Sequence, residues 1–165
     1  THIPACIDKE CMGEQEIPIH RKRQSRSDTA MTQELDNKSR KDIVEYRLSR
    51  CNEALREVGY LVEGGFYNSA VSRLYYACYY AAVALLIANK IEAQSHAGVK
   101  SMLSRHFVKD GKIDKTYAKT FFELFDLRHS NDYDDFSFCE KETIESLMQP
   151  AKEFIDAVTS MIDID

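Results

Sequence analysis

Residues 69–90, SAVSRLYYACYYAAVALLIANK, constrain this chain more than any other stretch. Arg73 is their only charge before the closing lysine. A helix that is apolar nearly all round has no face to offer water, so it belongs at the centre of a fold. Ala70, Leu74, Ala77, Cys78, Ala81 and Leu85 fall on one face, and small side chains there let a neighbouring helix approach closely. Asn68 or Ser69 is placed to start this helix. Its longest apolar run, AAVALLIA, is far short of a membrane span.

The flanking segments carry the partners such a helix needs. From residue 38, Val44, Leu48, Cys51, Leu55, Val58 and Val62 recur at steps of three and four, one stripe of a helix that Gly64 and Gly65 should end. Ser95 reads as an N-cap for SHAGVKSMLSRHFV, and Asp110-Gly111 as its break. Asp114 can cap KTYAKTFFELFDLRH, whose apolar positions are Tyr117, Phe121, Leu124 and Phe125, and SNDYDDFSF then reads as a loop. The last segment repeats the period through Ile144, Leu147, Met148, Ala151, Phe154, Ile155, Val158 and Ile162, with Pro150 mid-pattern as a kink or break. No alternating strand pattern survives, so the expected fold is all-α, an antiparallel bundle of four to five helices.

A chain of 165 residues suggests one domain with a real core. Its net charge of −5 argues against a broad phosphate-binding surface while leaving room for a small local one. Five cysteines at irregular spacing, with no CxxC, read as reduced thiols rather than a disulfide set or a zinc site. The five histidines are scattered, and no P-loop, GxGxxG, HExxH or GxSxG occurs, so no metal and no cofactor are expected. Residues 1–30 differ from the rest: few aliphatics, two prolines, the basic run RKRQSR and no period. They are read as a leader or flexible N-terminal extension, not necessarily native, ahead of a helical domain over 31–165. Without an apolar secretory region near the start, a cytoplasmic location is the default.

Candidate chemistry gathers in DLRHSNDYDDF, residues 126–136. Arg128 offers a fixed charge and a fork for phosphate, His129 or Asp132 could move a proton, and Tyr133 offers a hydroxyl. The same residues can equally form a plain helix end, with Arg128 and His129 complementing the dipole and Asn131 terminating the helix. Tyr75, Tyr76, Tyr79 and Tyr80 pair at i, i+4 on adjacent faces, as core filling or as a stacking platform for bases. Arg73 is an odd charge in an apolar helix. It is expected to pair with an acidic residue such as Asp126 or to line a pocket.

Three blocks, FYNSAVSRLYYACYYAAVALL, SHAGVKSMLSRHFVKDGKID and LFDLRHSNDYDDF, resemble in content and order the small bacterial and archaeal branch of the HEPN domain family. The resemblance covers about residues 38–163. It implies a HEPN-like bundle, usually a homodimer, and frequent pairing with a minimal nucleotidyltransferase in toxin–antitoxin-like modules. Many HEPN proteins are metal-independent RNases whose motif is an arginine, four to six residues, then a histidine where two subunits meet. Arg128 matches the arginine, but Tyr133 stands five positions later and no histidine follows His129. Related toxins are adenylylated on a tyrosine near this motif, which makes Tyr133 a candidate by analogy.

The expectation is therefore a HEPN module that binds a partner protein, a nucleotide or RNA at the Arg128–Tyr133 cleft, with little or no nuclease activity. The alternative is a metal-independent RNase toxin acting as a homodimer, so the question of enzymatic activity stays open. Arg128, Asp132 and Tyr133 are the catalytic candidates. Arg73, Tyr76, Ser95, His96, His129 and Asn131 are the binding candidates. Neither a metal nor a membrane is expected to take part.

Overall fold

The structure, a computed structural model, describes residues 36–133 and 138–163, with the helical backbone alone for 130–133. The N-terminal segment over 1–30 lies outside the described residues.

Helix α1, Asn37–Glu63, starts where the Asp36 carboxylate accepts the Ser39 amide at 2.7 Å. This satisfies one of the orphan donors of the first turn. It ends at Gly64, and Gly65 follows in the left-handed region at φ 78°, which glycine adopts without strain. Helix α2, Tyr67–Ala88, begins at Phe66 without a side-chain cap. The polar starts expected at Asn68 or Ser69 thus fall inside its first turn. The Phe66 N–H instead closes the end of α1, donating to the Leu61 carbonyl at 2.8 Å.

Helix α3, His96–Leu103, is capped by Ser95, whose hydroxyl accepts Gly98 N–H at 2.9 Å. It runs on into a π-helical turn, Ser104–Val108, closed by Lys109 N–H to Ser104 carbonyl at 2.9 Å. Gly111, at φ 70°, turns the chain toward Asp114, which accepts Thr116 N–H at 2.7 Å. Helix α4, Lys115–Tyr133, then continues four residues past the predicted end. Asn131 therefore does not terminate it. Helix α5, Lys141–Thr159, carries Pro150 inside and is not broken by it.

Helix α2 packs against all four other helices. Each residue of its small-side-chain face is buried: Ala70, Leu74, Ala77, Cys78, Ala81 and Leu85. The stripe of α5 meets it with Ile144, Leu147, Ala151, Phe154, Ile155 and Val158, and α1 contributes Val44, Cys51, Ala54 and Val58. Phe121 of α4 stacks on Phe154 at 5.3 Å between ring centroids. Tyr117, counted above with the apolar positions of α4, is exposed, and Ala118, Phe121 and Leu124 form the inward face. The architecture is all-α, with no strand among the described residues.

By length and composition α2 is apolar enough to cross a membrane, contrary to the reading from AAVALLIA alone, but 61% of its apolar window is buried inside the bundle. The same apolar surface that would favour lipid is here used up by four neighbouring helices. Among the described residues, Cys51, Cys78 and Cys139 are free thiols, the first two buried.

Candidate functional site

Positions 75, 76 and 79 share one side of α2, and that side meets the start of α3 and the end of α4. The Ser95 cap fixes the first turn of α3 and so places His96 against these rings. The Tyr75 hydroxyl lies 2.9 Å from His96 Nδ1. The Tyr79 ring stacks on the imidazole at 4.3 Å, 14° from parallel. Tyr76 meets the same imidazole edge-on at 5.9 Å. Tyr75 is completely buried and stacks on Phe121 at 5.8 Å, so it forms the floor of the site rather than a surface platform.

Arg128 reaches in from the far end of α4. Its guanidinium carbon sits 4.9 Å from the Tyr76 ring centroid and 5.4 Å from that of Tyr75. Cation–π placement of this kind helps to fix where a guanidinium sits. His129 packs its ring on Phe125 at 4.4 Å, and its buried Nε2 has no hydrogen-bond partner among the described residues.

The electrostatics follow from that crowding. Burial first, then the nearby charges of Arg128 and His129, hold the His96 imidazole below its usual value of 6.5. Desolvation and neighbouring cations both disfavour the imidazolium. His96 therefore stays neutral at pH 7, able to accept a proton or a hydrogen bond. Burial pushes the Tyr75 phenol well above its usual range, partly offset by Arg128, so it remains a neutral hydroxyl.

The site thus joins residues from three helices: Tyr75, Tyr76 and Tyr79 from α2, His96 from α3, and Arg128 with His129 from α4. Of the candidates read from sequence, Tyr76, His96, Arg128 and His129 come together, and Ser95 acts through the cap that seats His96. The side chains of Asn131, Asp132 and Tyr133 lie outside the described residues, although their backbone belongs to α4. Arg73 does not pair with Asp126. It forms an ion pair with Glu57 of α1 and lines a separate cleft of about 640 Å³ with Tyr60, Ser69 and Ser72. Asp126 instead binds Lys100 at 3.2 Å. Both acids were one helix away from their cations, and sequence spacing cannot tell which helix lies on which side.

Sequence reading left out Tyr75 and Tyr79 as site residues. Their i, i+4 spacing was visible, but not that their shared side faces His96. The arrangement is a fixed cation on an aromatic floor beside a neutral imidazole. Among the described residues no cluster of three or more histidine, cysteine or acidic side chains could hold a metal ion.

The helical bundle and this cation–aromatic corner define a small all-α module with one polar site at the junction of three helices. The family model for the HEPN domain matches residues 44–161, and the chain belongs to that family. Relatives agree. A UPF0332 protein of Thermotoga maritima is 34% identical over 121 residues, 73% of this chain and 92% of its own length. A protein of Methanocaldococcus jannaschii named "Putative toxin" is 31% identical over 122 residues, 74% of this chain and 90% of its own. A second protein of that organism with the same style of name is 29% identical over 113 residues, 68% of this chain and 77% of its own.

Proposed function

We propose that this HEPN protein is a toxin-like module whose site at Arg128 binds a phosphate-bearing ligand, a nucleotide or RNA. The observation that carries the reading is Arg128 held over Tyr75 and Tyr76 beside His96. The guanidinium supplies the fork for phosphate oxygens, and the half-buried Tyr76 ring supplies a face for a base. His96 and His129 add hydrogen-bonding nitrogens on the same side. The family and the names of its relatives support a toxin-like role. A homodimer, a minimal nucleotidyltransferase partner and a cytoplasmic setting belong to this proposal as well.

Binding is tested by titrating the full chain and Arg128→Ala with adenosine monophosphate and with a short single-stranded RNA, followed by calorimetry. The proposal expects heat of binding with the wild type and none with Arg128→Ala at unchanged melting temperature. Two silent titrations would refute it. Sedimentation of the same samples reads the dimer directly.

A second reading, a metal-independent RNase, is supported by one observation: His96 lies against the same tyrosine rings as Arg128, where no histidine follows His129 in sequence. Neutral His96 would take the proton of a ribose 2′-hydroxyl as its oxygen forms a bond to the adjacent phosphorus. The bond from phosphorus to the 5′-oxygen breaks, that oxygen takes a proton from solvent, and Arg128 stabilises the phosphorane charge. This reading expects RNA cleavage in EDTA that is lost in both His96→Ala and Arg128→Ala. Intact RNA after prolonged incubation would exclude it.

A further inference from the structure

Beyond Lys100 the site side of α3 opens into a groove of about 440 Å³ between α3, its π-helical turn and α4. Lys100, Ser101, Ser104, Arg105, Lys109 and Phe122 line it. Three cations, two hydroxyls and an aromatic ring meet there, Lys100 already paired with Asp126 at 3.2 Å, on a chain whose net charge is −5. The π turn is part of the construction. Such turns are rare and concentrate at functional positions. Here the turn runs from Ser104 to Val108, and its first residue, Ser104, and the residue that closes it, Lys109, both line the groove.

The groove is linked to the Arg128 site by the contact of Lys100 with Phe125. Lys100 Nζ lies 4.6 Å from the Phe125 ring centroid and 5.1 Å from that of Phe122. Phe125 in turn touches His129 at 4.4 Å and Tyr75 at 6.0 Å. His96 and Lys100 stand one turn apart on α3. A row of cations and aromatic rings therefore leads from Arg128 along α3 to Arg105 and Lys109.

We propose that this groove is a second phosphate subsite, and that the ligand is a single-stranded oligonucleotide running from Arg128 to Arg105 and Lys109 rather than a mononucleotide. The inference rests on the phosphate reading of the Arg128 site. Eight residues of helix separate His96 from Ser104, about 12 Å at 1.5 Å each. A stacked strand advances about 3.4 Å per nucleotide, so roughly four nucleotides cover the distance. The alternation of cation and ring along the row matches a flexible strand whose bases can turn onto aromatic faces. A duplex needs a broad basic surface, which this acidic chain does not offer.

The test uses the full chain and fluorescein-labelled 2′-O-methyl oligonucleotides, which bind without being cut at the ribose. Anisotropy is read for a dinucleotide and a decanucleotide, with wild type, Arg105→Ala/Lys109→Ala and Arg128→Ala. The wild type is expected to hold the decanucleotide at least tenfold more tightly than the dinucleotide. The groove variant loses that advantage and keeps dinucleotide affinity. Its slope of log affinity against log salt falls by about 1.4, two single-strand phosphate contacts at about 0.7 each. A decanucleotide bound no more tightly than the dinucleotide by the wild type overturns the proposal. So does a groove variant that binds it as the wild type does, which would leave the groove to an acidic protein surface. If neither oligonucleotide binds the wild type, the Arg128 reading itself has failed.

Discussion

Replacing Tyr75 with phenylalanine isolates the one hydrogen bond that ties α2 to α3 at the site. The ring is fully buried and keeps its stacking on Phe121 at 5.8 Å and its edge contact with Phe125 at 6.0 Å. Only the hydroxyl 2.9 Å from His96 Nδ1 is lost. A hydrogen bond contributes about 1 kcal/mol net, and a partner left unsatisfied costs about 1–3 kcal/mol. His96 is half-buried, so water recovers part of that loss, and we expect a destabilisation of about 1.5 kcal/mol, within the same range. For a chain of this size that is roughly 4 °C in melting temperature. Urea unfolding of the four corners of a cycle with His96→Ala measures it, and a coupling of about 1 kcal/mol is expected for directly bonded partners. A Tyr75→Phe protein as stable as wild type, or a strictly additive cycle, would refute the reasoning. Either result would mean that the imidazole is held by its ring contacts with Tyr75, Tyr76 and Tyr79 rather than by the hydrogen bond.

His96 also sets a pH dependence. Its folded value is lowered, so the unfolded chain takes up the proton first, and stability is lost as pH falls from about 6.5 toward the folded value. The drop between pH 7.5 and pH 5.5, measured by urea unfolding, should be shallower in His96→Gln; equal slopes would contradict this. Phe154→Ala removes a fully buried ring stacked on Phe121 and should cost about 3–5 kcal/mol, read in the same unfolding assay. Burial pushes the Cys51 thiol up to about 12 and that of Cys78 well above its usual range, so a maleimide should modify Cys139 first among these three. Mass spectrometry of the folded protein after brief labelling checks the order.

Much of the fold could be read from the chain because local signals and burial agree there. The small face of α2, the stripe of α5, the cap at Ser95 and the glycine stop at residues 64 and 65 all stand where their residue types place them. The end of α4 was misread for a physical reason. Asn and Asp compete with the helix backbone for hydrogen bonds and favour caps and turns. The run SNDYDD therefore reads as loop, yet the helix persists through Tyr133. The site was half legible. Arg128 stood out by its neighbours, but the imidazole beside it comes from His96, thirty-two residues earlier in the sequence. No spacing rule links them, because their meeting depends on how α3 and α4 settle on α2. Arg73 illustrates the same limit. Its need for a partner was evident from composition, and its choice of Glu57 over Asp126 was set by which helix lies beside it.

The central claim is that phosphate binds where Arg128 and His96 face a common floor of tyrosines. Its most direct test is the NMR titration of the His96 ring, followed through long-range nitrogen–proton correlations, with and without a short single-stranded RNA. A bound phosphate brings negative charge beside an imidazole now held down by burial and cations, so the account predicts that the ring signals shift and its pKa rises on addition of RNA. In Arg128→Ala the same addition should leave the ring unmoved. An imidazole that titrates identically with and without RNA in the wild type would contradict the account.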